Sequence, residues 1–207
     1  MRNDAGQSDD ALDISSDELI AQRHAGAPGA LPPDMVAWMR GAITVLDTLS
    51  LWVGRVVCLL LVPLMLAMVY EVVARKLFVA PTYWAFDVSR MLCGAMFMLG
   101  AGYALMRGVH IRADFIYRLW QPRRQAAIDA LLYIVLFFPS MMAFGWVAAD
   151  YTWAAWVRWE RSMDTAWMAP LAPARTAMPL GALFLILQGV SELLKAFYAI
   201  RRNRWPS

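Results

Sequence analysis

Twenty consecutive residues without a formal charge, Ala130 to Ala149, constrain this chain more than any other feature. Nine of them are Leu, Ile, Val or Phe. A helix of about 20 such residues matches the ~30 Å hydrocarbon core of a bilayer. On insertion scales nine such side chains contribute roughly −3 to −5 kcal/mol. Three shorter charge-free runs accompany this one: Val56 to Tyr70 (15 residues), Met91 to Met106 (16) and Thr176 to Ser191 (16). Arg55, Arg90 and Arg107 stand at run ends, where long cationic side chains reach headgroups. The predicted spans are about residues 50–73, 88–107, 128–150 and 176–197.

Composition supports the same architecture. Sixty percent of the 207 residues are apolar and 17% are charged, against about 45–50% and about 25% in soluble domains. A chain of this size has too little interior to hide so much apolar surface from water. That excludes a soluble enzyme, a nucleic-acid binder and a disordered protein, so no nucleic-acid partner is expected. Two cysteines without a CxxC spacing indicate neither a disulfide scaffold, a zinc site nor a dithiol centre. The fold class read from the sequence is all-α, with four transmembrane helices.

The charge is unevenly distributed. Residues 1–34 hold seven acids and two bases, a net of −5. The remainder holds nine acids and 17 bases, a net of +8. Gly26, Pro28, Gly29, Pro32 and Pro33 cluster at the end of the acidic stretch, which reads as a disordered cytoplasmic tail. It lacks the basic start and short apolar stretch of a signal peptide, so the first apolar helix is expected to serve as an uncleaved anchor. Residues 35–200 then form the four-helix domain, and residues 201–207 a basic cytoplasmic C-terminus. Twelve Lys and Arg residues fall on the side of the termini and of the connection between spans two and three, and six on the other side. The bias places both termini in the cytoplasm, and the bases predict contact with anionic membrane lipid.

Between spans two and three, Arg107 to Trp120 has helical periodicity. Ile111, Phe115 and Leu119 form one row, and His110, Asp114 and Arg118 form another. The segment is predicted to lie on the cytoplasmic headgroups as a short amphipathic element. Trp84, Trp120, Trp153, Trp156, Trp159 and Trp167 lie at or beyond run ends, the interfacial position of amphipathic rings. Pro63 and Pro139 fall inside runs one and three and predict kinks. Pro122 and Pro179 are placed where the third and fourth helices should begin.

Intramembrane polar groups are the default functional candidates, and there are few. Glu71 precedes Arg75 by four residues, and Asp87 precedes Arg90 by three. Each pair reads as a local ion pair or as a cation-coupled carboxylate. His24 and His110 do not provide facing ligands for a haem inside the bundle, and Cys58 and Cys93 read as small packing residues. No GxSxG, HExxH, P-loop or GxGxxG motif occurs. No catalytic residue, metal site or cofactor is therefore expected. From the residues alone the chain is an accessory subunit or a small transporter.

The stretch Glu71 to Asp114, EVVARKLFVAPTYWAFDVSRMLCGAMFMLGAGYALMRGVHIRAD, goes further. It resembles the small membrane (Q-type) subunit of TRAP transporters, the tripartite ATP-independent periplasmic systems. Arg75 matches the arginine that closes helix one in that family. Trp84 and Asp87 match the tryptophan and acid that open helix two, where glutamate is commoner. Gly94, Gly100, Ala101 and Gly102 match a small-residue helix, and Arg107, Gly108, His110, Ile111, Arg112 and Asp114 match a basic-glycine-histidine signature. In the second half Glu160, Ser162, Trp167, Pro170, Pro179, Gly181, Gln188 and Gly189 fall at matching positions. The resemblance covers roughly residues 40–200.

The resemblance implies a role in the bacterial inner membrane. Such systems import organic acids and related solutes on a sodium gradient, using a periplasmic solute-binding protein and a large membrane transport subunit. The small subunit packs beside the large one. The alternative from a different class is a self-sufficient, cation-coupled transporter using Glu71 or Asp87. The small residues of helix two are expected to pack within the subunit or against the large partner. The outer loop from Asp150 to Arg175 is expected to be an interfacial helix held by its tryptophans, or a seat for the binding protein.

Overall fold

A computed structural model describes residues 35–107 and 122–202 of the chain. The acidic tail, the predicted amphipathic segment from Gly108 onward and the last residues of the basic C-terminus lie outside the described residues. Within them, α1 (Ala37–Leu59) and α2 (Leu61–Leu77) form one long rod, and α3 (Tyr83–Met106) returns. α4 (Pro122–Leu132), a π-helical turn (Tyr133–Phe137) and α5 (Phe138–Arg158) form the third rod, and α6 (Ala172–Arg202) the fourth. The described residues contain no strand, only an isolated bridge between Arg161 and Pro170. All four rods are long and apolar enough to cross a membrane. The 41 residues of the first rod are ~60 Å long, twice the ~30 Å hydrocarbon core, so the rods tilt or project beyond it.

Two prolines shape the rods where the sequence predicts kinks. Pro63 has no N–H, and its ring crowds the carbonyl four residues back. The rod breaks at Leu60, whose N–H bonds the Val57 carbonyl at 3.0 Å in a tighter turn. Pro139 sits just after the π-helical turn, where the Phe138 N–H reaches back five residues to Tyr133. The wider turn makes room for the ring. Pro179 corrects the sequence reading: α6 already begins at Ala172, and Pro179 lies inside it. Two rods stop, at the end of the bundle away from Ala37 and Arg202, with a residue in the left-handed conformation, Val79 (φ 51°) and Trp159 (φ 50°). The Ala80 N–H bonds the Ala74 carbonyl at 3.1 Å and the Glu160 N–H the Ala155 carbonyl at 3.2 Å. The second is the six-to-one closure of a Schellman motif and the first reaches one residue further back, and neither uses the usual glycine.

α6 is the central element, packed against α3, α4, α5 and α1. The interior is narrow and made of small side chains: Ala85, Ala126, Ala155, Ala182, Ala196 and Ala199 are each at most 3% exposed. Large apolar groups point outward, including Leu66, Phe97, Trp146 and Val147. Water would not tolerate so extensive an apolar surface, whereas lipid is its natural solvent. Close backbone approach is concentrated at particular glycines. A Cβ at Gly181 would lie 2.6 Å from the Met98 carbonyl oxygen, and one at Gly54 2.6 Å from the Tyr103 ring. A Cβ at Gly102 would lie 3.4 Å from the Phe184 carbonyl oxygen, while one at Gly94 would meet nothing within 4 Å.

Candidate functional site

The polar side chains of the described residues gather at two places, one toward each end of the bundle. The first joins α1 to α6. Ser50 Oγ donates to Gln188 Oε1 at 2.6 Å, and Gln188 Nε2 donates to Asp47 Oδ1 at 3.0 Å. Ser191 Oγ donates to the same Asp47 oxygen at 2.7 Å. Lys195 Nζ lies 2.9 Å from Asp47 Oδ2 and 2.8 Å from Glu192 Oε1. Gln188 and Ser191 are fully buried. The local sequence explains the arrangement: positions 188, 191, 192 and 195 repeat every three or four residues and form one stripe of α6, as do 47 and 50 on α1. Buried polar groups are tolerated because nearly every donor and acceptor is used within the cluster.

The second cluster joins the first turns of α3 to the loop 159–171. Asp87, fully buried in the first turns of α3, accepts a hydrogen bond from Thr165 Oγ1. Its other oxygen lies 3.4 Å from Ser162 Oγ and 3.7 Å from Arg90 Nη2. Arg90 donates to Ser162 Oγ at 3.2 Å and pairs with Asp164. Ser162 Oγ also stands 3.1 Å from Asp164, and its single proton serves one carboxylate at a time. The hydrogen bond from Arg90, then that from Ser162, and the Arg90 charge hold the Asp164 carboxyl below its ordinary value of 3.8. The loop itself is closed by the Ser162 N–H on the Ala169 carbonyl (2.8 Å) and the Leu171 N–H on the Glu160 carbonyl (3.0 Å). Glu160 pairs with Arg175 of α6, whose guanidinium covers the Tyr151 ring at 3.9 Å. The expected interfacial helix is therefore replaced by a closed loop. The left-handed Trp159 ends α5, and pairing across the loop stem satisfies backbone groups a helix would have satisfied internally.

The remaining candidates fall around these clusters. Arg75 pairs with Glu71, whose other oxygen accepts the Thr82 N–H at 2.9 Å and the Thr82 hydroxyl. Glu71 thus fastens the end of α2 to the start of α3. Trp84 packs against Tyr70 in a tilted pair with ring centroids 5.5 Å apart. Gly100 meets only Val57, at 3.7 Å, and Gly102 packs on α6. Trp167 is half-exposed in the outer loop. His110, Arg112 and Asp114 lie outside the described residues. The structure brings Asp87, Arg90 and Ser162 together, gives Glu160 to the loop base, and puts Gln188 in the other cluster.

Sequence reasoning missed Asp47, Ser50, Ser191, Glu192 and Lys195. The spacing of the last three with Gln188 was the available signal, since it makes a single polar stripe on an otherwise apolar helix. Among the described residues no group of three or more His, Cys, Asp or Glu side chains has the arrangement to hold a metal ion.

Comparison with known proteins adds an independent finding. The family model described as Tripartite ATP-independent periplasmic transporters, DctQ component, matches residues 64–198, well over half of the chain. No curated protein and no solved structure matches it. The second cluster and the α6 polar stripe fall within the matched residues, whereas Asp47 and Ser50 precede them.

Proposed function

Because the chain belongs to the DctQ component family of tripartite ATP-independent periplasmic transporters, we propose that it is the static half of a sodium-coupled importer of organic acids or related solutes. As the small membrane subunit it holds a larger transport subunit in place while that subunit moves. The periplasmic solute-binding protein is the third component. The cation bias supports an orientation with both termini in the cytoplasm and the 159–171 loop in the periplasm.

One observation carries this reading. Three of the acids on the apolar rods are each engaged by a neighbour on another element. Asp47 is held by Gln188, Ser191 and Lys195, Asp87 by Thr165, Ser162 and Arg90, and Glu71 by Arg75 and Thr82. A coupling carboxylate must exchange its partners for an ion or a proton during each cycle. Carboxylates used as interhelical fasteners favour rigidity instead. The exposed loop, fixed to two helices, also supplies a rigid surface for the binding protein, with Arg158 and Arg161 beside it.

The test is reconstitution. The chain alone in liposomes should not transport, and uptake should appear when the large subunit, the binding protein and a sodium gradient are added. Charge reversal at Arg158 and Arg161 should raise the binding-protein concentration needed for half-maximal uptake. Uptake by the chain alone, lost in Glu71→Gln, would replace the scaffold by the self-sufficient carrier.

A further inference from the structure

The contacts along α6 fix the registers of its two neighbours and bring five arginines to one level. On one flank Ser50 meets Gln188 and Asp47 meets Ser191, so α1 runs antiparallel to α6. The next layer packs Ile43 with Tyr198, both nearly fully buried. On the other flank Thr152 donates to the Arg175 carbonyl at 3.0 Å, and a Cβ at Gly145 would sit 3.6 Å from Ala182. The same antiparallel register carries the buried Ala130 and Ala126 opposite Ala196 and Ala199. One further turn along each helix reaches Arg40 on α1, Arg123 and Arg124 on α4, and Arg201 and Arg202 on α6.

Arg40, Arg124, Arg201 and Arg202 are exposed, and among the described residues none of these four has a carboxylate within 4.0 Å. The nearby acids Asp47 and Glu192 are committed to Lys195. Tyr198, one turn before the α6 pair, has a buried hydroxyl with no partner among the described residues. Just inward of the arginines each helix exposes an apolar side chain to the surroundings, Val45 on α1, Leu131 on α4 and Phe197 on α6. The level lies ~15 Å beyond Ser191, the end of the charge-free stretch of α6. Helix tilt and back-reaching arginine stems bring the guanidiniums to the headgroups.

We propose that this layer is a binding site for anionic phospholipid, anchoring the end of the bundle that carries both termini. Cations held at the headgroup level attract the phosphates of anionic lipids. The adjoining apolar side chains give the acyl chains a place to lie, which selects a lipid over free phosphate or the chain's own acidic tail. The proposal requires only four membrane helices, so its outcome is separate from that of the transport reconstitution.

The experiment titrates the full-length protein in neutral detergent with phosphatidylglycerol or phosphatidylcholine and counts retained lipids by native mass spectrometry. We expect a preference for phosphatidylglycerol that inorganic phosphate does not abolish. Arg124→Gln, Arg201→Gln and Arg202→Gln together should reduce it by roughly tenfold to a hundredfold. The corresponding lysine variants should keep most of it, and Arg158→Gln at the opposite end should keep all of it. The lysine set keeps the test decisive if the glutamine set misfolds, because lysines that lose the preference overturn the charge argument. An unchanged preference in a folded glutamine variant overturns the proposal. So does a several-fold rise in lipid uptake when Asp9, Asp10 and Asp13 are changed to Asn, since the acidic tail would then be the occupant.

Discussion

Lys195 Nζ lies 2.9 Å from Asp47 Oδ2, so the last helix of the bundle holds the first through a charge pair formed beside two fully buried polar residues, Gln188 and Ser191. Both charged side chains are mostly buried, 16% and 13% exposed.

Replacing Asp47 by Ala removes the acceptor used by Gln188, Ser191 and Lys195. The expected loss of stability is about 1–3 kcal/mol, because Gln188 and Ser191 lose their buried acceptor while Lys195 keeps only Glu192. Replacing the charge pair by Asp47→Leu and Lys195→Met together should cost less than the sum of the single changes. Thermal unfolding in detergent measures all three, and strictly additive losses would show that the pair is not coupled.

Gly181→Ala should destabilise the bundle by about 1–3 kcal/mol, since the new methyl meets the Met98 backbone rather than a flexible side chain. Gly94→Ala meets nothing within 4 Å and should be neutral or stabilise by up to about 1 kcal/mol through helix propensity. Equal effects at the two positions would contradict the α3–α6 contact.

Val79 closes α2 in a left-handed conformation and is 84% exposed. Val79→Gly should therefore raise the unfolding temperature, by an amount equivalent to about 1 kcal/mol. A fall would mean that the valine side chain makes contacts outside the described residues.

Asp87→Ala leaves the hydroxyls of Thr165 and Ser162 without their buried acceptor. The outer loop should then exchange its amide hydrogens faster, most visibly at Ser162 and Leu171. The N–H groups of these two residues close the loop, on Ala169 and Glu160. A cost of about 1–3 kcal/mol is expected. Unaltered exchange would separate Asp87 from the loop.

Acid should loosen the same loop. The Asp164 carboxyl is held below its ordinary value of 3.8 by the Arg90 hydrogen bond first, then by Ser162 and the Arg90 charge. A depressed folded value means that the proton favours the detached state. The contribution is complete above about pH 5, weakens near about pH 4 and is lost as the pH falls through the folded value. Quenching of tryptophan fluorescence by iodide across that range should report the release, and Asp164→Asn should flatten the profile.

Much of the architecture was legible because it depends on one variable, the free energy of moving a side chain into lipid. Charge-free runs and their flanking arginines gave the number of crossings. The interruptions of the helical ladder at Leu60 and at Tyr133–Phe137 followed from the prolines just after them, Pro63 and Pro139. Pro179 misled because proline is favoured in a first turn but is also accommodated inside a membrane helix, where the residues before it, Ala172 to Met178, already continue α6 outward. The outer loop misled for a related reason. Its tryptophans carry the composition of an interfacial helix, while its path is fixed by Glu160, Ser162 and Asp87 pairing with distant residues.

The sequence by itself determined that the chain lives in lipid, how many times it crosses, and, through Trp84, Asp87 and the glycine-rich second span, the family it joins. Each follows from local properties, hydrophobicity and order along the chain. Only the tertiary structure decided that Gly181 and not Gly94 receives a neighbouring backbone, and that Asp47 is fastened to a helix starting more than a hundred residues later. In a bilayer the hydrophobic effect does not choose which apolar faces meet, so packing of small residues and the satisfaction of polar groups make that choice. Both are properties of pairs of helices, which no single segment contains.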